Sequence, residues 1–281
     1  MSERYCVDYH THSNFSADGD RFPDYSIEKM CEKACEIGLS EIAITDHYDT
    51  NPVPEGIDFY PSDLFAVEEE IKKQREKFKG RLRIVYGVEL GQPTQAEDVA
   101  LNVLSSHEFD FVIGSLHNNS GEMDFCFIDY AHASKNRLIS LWDTYLNETI
   151  DHIRWGRGRF HTLAHLGYLI RYYTYSGNAD LISFEDKTDV LTVIFKELME
   201  CGIALEINTS GCRQGLGDTI PPDYCLRLYR SLGGDSFTVG SDAHKRDHIG
   251  YGVREAYDKL EALGVDHVMI AEGGVLVPKK F

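Results

Sequence analysis

The sequence predicts a single α/β barrel of parallel strands joined by crossover helices. Three observations carry that prediction. Seven apolar runs each end on polar residues, and stretches of helical periodicity separate them. Strand and helix alternate about seven times, the pattern of parallel strands connected through helices. The 281 residues show no composition break, linker, low-complexity segment or internal repeat, so residues 1–281 are read as one domain.

The strands follow in order. The first run is Cys6-Val7-Asp8-Tyr9-His10-Thr11-His12 and the second Ile42-Ala43-Ile44-Thr45-Asp46-His47. Ile84 to Glu89, Phe109 to His117 and Thr162 to His165 make the next three, and Ile203 to Asn208 and Phe237 to His244 the last two. A late run, Val268 to Ala271, either adds an eighth strand or closes one end of the barrel.

Between them, Ile27, Met30, Cys31, Ala34 and Ile37 recur at helical spacing, with Ser26 placed as an N-cap and Gly38 as a stop. Similar periodicity predicts helices over Leu64 to Phe78, Glu97 to Ser106, Leu138 to His152, Val190 to Cys201, Tyr224 to Leu232 and Arg254 to Leu263. The longest irregular stretches are Tyr48 to Ser62, Asn118 to Asn136 and Tyr172 to Asp189. All three follow strand ends, where they either shape the mouth of a site or run as surface loops.

Composition narrows the function classes. Asp and Glu number 46 against 28 Lys and Arg, a formal charge of −18, which argues against a nucleic-acid partner. A small anionic substrate stays compatible, because bound cations reverse the field locally. No apolar stretch approaches the roughly 20 residues that span a bilayer, so no membrane partner is expected. Seven cysteines without paired C-x-x-C spacing fit reduced thiols, and the charged Glu3-Arg4 before the first strand speaks against a leader. A cytoplasmic location is expected.

In such a barrel the carboxyl ends of the strands converge on one face. Seven strand ends carrying His, Asp or Glu therefore meet there. His10 and His12 flank Thr11 in an extended segment, where alternate side chains point the same way, and Asp242 and His244 repeat that spacing on the last strand. His47, Glu89, His117 and His165 end four strands between. A mixed nitrogen and oxygen donor set suits Zn, Mn or Fe better than Ca or Mg.

These motifs, together with Ser16-Ala17-Asp18-Gly19, Gly114-Ser115-Leu116-His117, Ala164-His165 and Gly240-Ser241-Asp242-Ala243-His244, resemble the ordered motifs of the polymerase and histidinol phosphatase (PHP) family. The resemblance covers nearly the whole chain and lies within the histidinol-phosphatase group. It implies a distorted (β/α)7 barrel with three metal ions. His10, His12, Glu89 and Asp242 would hold the first, Glu89, His117 and His165 the second, and Asp18, His47 and His244 the third. Glu89 would then bridge two ions.

The implied activity is a metal-dependent phosphomonoesterase on a small phosphate ester. L-histidinol phosphate, hydrolysed to L-histidinol and phosphate in histidine biosynthesis, is the expected substrate, and a nucleotide or another small ester is the alternative. Coordination would lower the pKa of water, and Asp18, Asp242 or His244 would assist the departing alkoxide. Arg171 and Arg213 match basic positions of the group, and a guanidinium fork suits phosphate oxygens. Asp8 matches an acidic position, where it would read the histidinol amine or imidazole or else orient a ligand histidine. Gly167 departs from the group's His-x-Asp or His-x-Asn pattern. A non-enzymatic metal-binding domain is the competing class; retention of Glu89 and both arginines favours catalysis.

Overall fold

The computed structural model describes residues 4–16, 25–51 and 62–281. The barrel strands are β1 (Val7–Asp8), β2 (Glu41–Ile44), β4 (Arg83–Gly91), β5 (Phe111–Ser115), β6 (Thr162–Leu163), β7 (Ala204–Asn208) and β8 (Phe237–Gly240). They are hydrogen-bonded in that order, every pair parallel, with the short β3 (His47–Asp49) added beside β4. Backbone bonds close the ring. Tyr9 N donates to Val239 O at 2.9 Å, Asp242 N to His10 O at 2.8 Å and His12 N to Ala243 O at 2.9 Å.

The helices are amphipathic, as their periodicity predicts. In α1 (Ile27–Glu36) Ser26 caps the N-terminus by accepting from Lys29 N, while Ile27, Met30, Cys31 and Ala34 are buried. Around the barrel follow α2 (Leu64–Lys77), α3 (Glu97–Ser106), α4 (Lys135–Gly156), α6 (Thr188–Cys201), α8 (Asp223–Ser231) and α9 (Val253–Ala262). Two short helices, α5 (Ile170–Tyr175) and α7 (Ser210–Arg213), fall outside the helices predicted from sequence, α5 running into the irregular stretch Tyr172 to Asp189. Both are too short to show a helical period, and they bring Arg171 and Arg213 to the cavity described below.

The late apolar run does not join the barrel. It forms β9 (His267–Glu272), which pairs antiparallel with β10 (Val275–Lys280). This hairpin closes the amino-terminal end of the barrel: Arg83 Nη2 donates to Ala271 O, and Ala271 N donates to the Tyr9 hydroxyl at 3.3 Å. Glu41 lies beneath, buried, accepting from Tyr5, Tyr9 and Arg83. A buried carboxylate is tolerated because these donors satisfy it. Among the described residues no helix is long and apolar enough to cross a membrane.

Candidate metal centre

The site is assembled at the opposite, carboxyl-terminal end. Strand β4 delivers Glu89, which registers beside His47 on β3. The segment after β1 carries His10 and His12, held by Thr11 N donating to Thr45 Oγ1 at 3.1 Å and Thr11 Oγ1 donating to Ala43 O at 2.6 Å. His117 follows β5, His165 follows β6, and Asp242 and His244 follow β8.

Five imidazoles surround the buried Glu89 carboxylate and divide between its oxygens. Oε2 lies 3.2 Å from His10 Nε2, 3.4 Å from His12 Nε2 and 2.9 Å from His47 Nδ1. Oε1 lies 3.1 Å from His117 Nε2 and 2.9 Å from His165 Nε2. Asp242 Oδ1 stands 3.5 Å from both His12 Nε2 and His244 Nδ1, and His244 Nε2 is 3.4 Å from His47 Nε2. Four donor groups gather within 4.8 Å: His12-His47-His244, His10-Glu89-His165, His10-His12-Asp242 and His47-Glu89-His117.

The donor set fits metal ions. His10 Nε2, His12 Nε2 and Glu89 Oε2 are buried without a hydrogen-bond partner despite their proximity. Lone pairs converging in this way leave a cost of about 1–3 kcal/mol per orphaned group unless a cation fills the gap. Both carboxylates are held ionised. Burial disfavours the Glu89 charge, but His10, His47 and His117 outweigh it and hold the carboxyl well below its usual range. Asp242 is held low in the same way, burial being outweighed by His12, His10, His244 and Arg171. Burial, with His47 and His244 nearby, pushes His12 well below the ordinary histidine value, toward the neutral form a metal requires.

Two of these residues adopt backbone conformations that L-residues rarely occupy. His165 has φ 22° and Asp242 φ 53°. Such strain costs on the order of 1–3 kcal/mol each and survives where neighbours enforce it. Here His165 N donates to Glu206 Oε2 at 2.7 Å, and Asp242 N donates to His10 O.

Glu206 was not singled out from sequence, although a lone carboxylate inside the apolar run Ala204-Leu205-Glu206-Ile207 is a readable signal. Its Oε1 lies 2.6 Å from His10 Nδ1, the ring nitrogen turned away from Glu89. A Cβ at Gly240 would stand 2.3 Å from His10 Cβ and 2.6 Å from Glu206 Oε1, so only glycine lets the two meet. Asp49, also overlooked, holds His117 Nδ1 at 3.0 Å. Carboxylates behind ligand histidines fix ring orientation and tautomer.

Over the donors opens a cavity of about 560 Å³, whose walls include Arg171, Arg213, Lys245, Tyr168, Tyr172 and Asp124. Arg171 is 8% exposed, and its Nε and Nη2 have no hydrogen-bond partner. Nη2 is 3.7 Å from Asp242 Oδ2, and the guanidinium lies 4.4 Å from the centre of the Tyr168 ring. Arg213 is spent on backbone: its guanidinium nitrogens donate to Ser241 O and Asp242 O, tying α7 to the strand end that bears Asp242.

Asp8 departs from the substrate-reading role. It is fully buried, and its oxygens accept from Ser241 N at 2.8 Å, Ser241 Oγ at 2.6 Å and Gly250 N at 2.8 Å. With those bonds made it braces β1 against the Asp242 segment and does not line the cavity. Asp18, with Ala17 and Gly19 of its motif, falls among residues 17–24 and lies outside the described residues, as do positions 52–61. Gly167 has a local cause: its φ is 98°, and a Cβ there would meet Phe184 Cζ at 2.5 Å.

Comparison with known proteins agrees with this geometry. Residues 8–210 match the model of the PHP domain. A histidinol-phosphatase of Lactococcus lactis is 30% identical over 256 residues, 86% of each chain. A probable histidinol-phosphatase of Thermotoga maritima is 28% identical and covers 98% of this chain and 99% of its own. Among solved structures, the histidinol phosphate phosphatase of Lactococcus lactis, complexed with Zn, L-histidinol and phosphate, superposes with a TM-score of 0.80 at 27% identity, covering 97% of this chain and 98% of that one.

Proposed function

The chain belongs to the PHP domain family, and from that premise we propose that it is a metal-dependent histidinol-phosphatase, hydrolysing L-histidinol phosphate to L-histidinol and phosphate in histidine biosynthesis. The observation that carries the reading is a buried guanidinium with free donors, Arg171, set beside Asp242 in the wall of a cavity floored by the Glu89-centred histidine cluster. Relatives that match across nearly the full length carry the histidinol-phosphatase name, and one was solved with histidinol, phosphate and zinc.

Divalent ions, three of Zn, Mn or Fe in our reading, would be held by His10, His12, His47, Glu89, His117, His165, Asp242, His244 and Asp18; there they supply Lewis acidity, which makes water a nucleophile near neutral pH and neutralises phosphoryl charge. The protein's own groups do the rest. Arg171 orients the phosphoryl group through Nε and Nη2, and its charge is directed by the Tyr168 ring behind it. Arg213 holds the Asp242 backbone in its left-handed conformation and adds positive charge to the wall. Glu206 and Asp49 keep His10 and His117 turned toward Glu89.

Water attacks phosphorus and loses a proton, the ester P–O bond breaks, and the alkoxide gains a proton, so none is consumed overall; His244 lines the cavity where this relay runs, whereas Asp242 is held ionised and has no proton to give. Cys6, Cys31, Cys35, Cys201, Cys212 and Cys225 are free thiols, consistent with the reducing cytoplasm in which we place the enzyme.

Phosphate release by zinc- or manganese-reconstituted protein, compared across L-histidinol phosphate, nucleoside monophosphates and phosphotyrosine, tests the reading. Highest kcat/KM for L-histidinol phosphate is expected. A preference for a nucleotide would replace the substrate and leave the phosphoesterase chemistry standing.

A further inference from the structure

Tyr9 joins the two ends of the barrel. Its hydroxyl reaches the floor, where it donates to Glu41 Oε2 and accepts from Arg83 Nη1 and Ala271 N, each at 3.3 Å. One donation and two acceptances use the full capacity of a phenolic oxygen. The ring is buried edge-on against Phe111, with centres 5.0 Å apart. His10, one peptide further on, points its Nε2 at Glu89 from 3.2 Å.

The partners on the floor belong to ligand-bearing strands or to the C-terminal hairpin of β9 and β10. Arg83 opens β4, which delivers Glu89, and also donates to Ala271 O. His161, just before β6, accepts from Val112 N through Nδ1 and donates from Nε2 to Gly274 O in the hairpin turn, both at 2.9 Å. The hairpin is thus pinned to the segments that lead to His10, Glu89 and His165. It lies beyond the residues that match the PHP domain.

The need for an anchor is visible in β1, which is two residues long and registers with β2 at Val7 and Asp8. Glu206 turns the His10 ring, but a bond to Nδ1 does not set how far the backbone stands up the barrel. Contacts of His10, Thr11 and His12 at the mouth run to neighbours that carry ligands themselves: Asp242 N, Ala43 and Thr45 before His47, and Ala243 between Asp242 and His244. Tyr9 ties the segment to the far end instead. A metal–nitrogen bond of about 2.0–2.1 Å tolerates a misfit of about 0.2 Å, so slight axial slippage is felt at the ion. Resting on the metal-centre reading, we propose that Tyr9 is a positioning residue: its hydroxyl, locked to Glu41, Arg83 and the hairpin, sets the height at which His10 and His12 meet a metal.

Tyr9→Phe keeps the ring against Phe111 and removes the hydroxyl. Tyr5→Phe is the control, because Tyr5 also donates to Glu41 but adjoins no proposed ligand in sequence. Each variant strips one donor from the same buried carboxylate, so both should lower the urea midpoint. Lost stability alone leaves metal affinity unchanged while the folded fraction stays near one. Zinc titration against a chromophoric chelator should give an affinity about tenfold weaker than wild type for Tyr9→Phe, and within about twofold of it for Tyr5→Phe. Arg83→Lys, at a partly exposed position, keeps a charge for Glu41 and gives up the contacts with Tyr9 and Ala271 O, so it should weaken zinc binding severalfold. Wild-type zinc affinity in Tyr9→Phe, or equal losses in the two tyrosine variants, would overturn the proposal. Wild-type affinity in Arg83→Lys would do so even if Tyr9→Phe does not fold. The two readings fail differently: a wild type that binds zinc but hydrolyses no L-histidinol phosphate overturns the substrate, and the zinc titrations decide the role of Tyr9 regardless. A wild type that binds no zinc overturns both.

Discussion

Glu206 Oε1 lies 2.6 Å from His10 Nδ1 while the other ring nitrogen of His10 lies 3.2 Å from Glu89, so one imidazole links a buried carboxylate behind the site to the carboxylate at its centre. The second oxygen of Glu206 holds His165 N at 2.7 Å, so one side chain sets two proposed ligands. Glu206→Gln should lower metal affinity about 10- to 100-fold. Metal content after graded chelation checks this, and wild-type retention would reduce Glu206 to a packing role.

Glu89→Gln preserves shape and removes the charge that faces five imidazoles. Turnover should fall by several orders of magnitude with the secondary structure intact. Single-turnover phosphate release together with circular dichroism separates the two effects; full activity at unchanged metal content would remove Glu89 from the centre.

The two arginines should separate. Arg171→Ala removes free donors and should cost about 1.5–3 kcal/mol in kcat/KM on every phosphomonoester, at unchanged metal content. Arg213→Ala also releases the carbonyls of Ser241 and Asp242, so it should lose metal as well as activity. Elemental analysis of both variants distinguishes them, and identical metal content would contradict the bracing role of Arg213.

His152, buried in α4 against Phe160, should make stability pH-dependent. Burial, only partly offset, pushes its pKa down to about 4. The unfolded chain then binds the proton more readily, so stability is fully present above about pH 6.5 and declines as pH falls toward 4. At pH 5 the loss is about 2 kcal/mol. Urea unfolding of wild type and His152→Phe at pH 7 and pH 5 measures it; equal pH sensitivity in both would show that His152 does not titrate with folding.

The barrel and the histidine ends were legible in sequence because strand direction alone sends each ligand to one face. Thr11 and Ala243 form an isolated parallel bridge just beyond the first and last strands, as closure of the ring requires. Groups behind the ligands were harder to read. Glu206 and Asp49 act only through histidines brought near by the fold, and α5 and α7 are shorter than a helical period can reveal. Asp8 misled because an acidic residue beside H-x-H looks the same whether its oxygens face a substrate or, as here, Ser241 and Gly250. Position 167 depends on an unseen backbone angle: φ 98° with Phe184 against the α-carbon demands glycine whatever the substrate.

Anomalous diffraction from zinc-loaded crystals soaked with inorganic phosphate bears on the central claim most directly. More than one ion should appear, with Glu89 Oε1 and Oε2 on different ions and phosphate held by Arg171 next to them. A single ion away from Glu89, or phosphate bound outside the cavity that Arg171 lines, would contradict a multinuclear phosphoesterase centre in this fold.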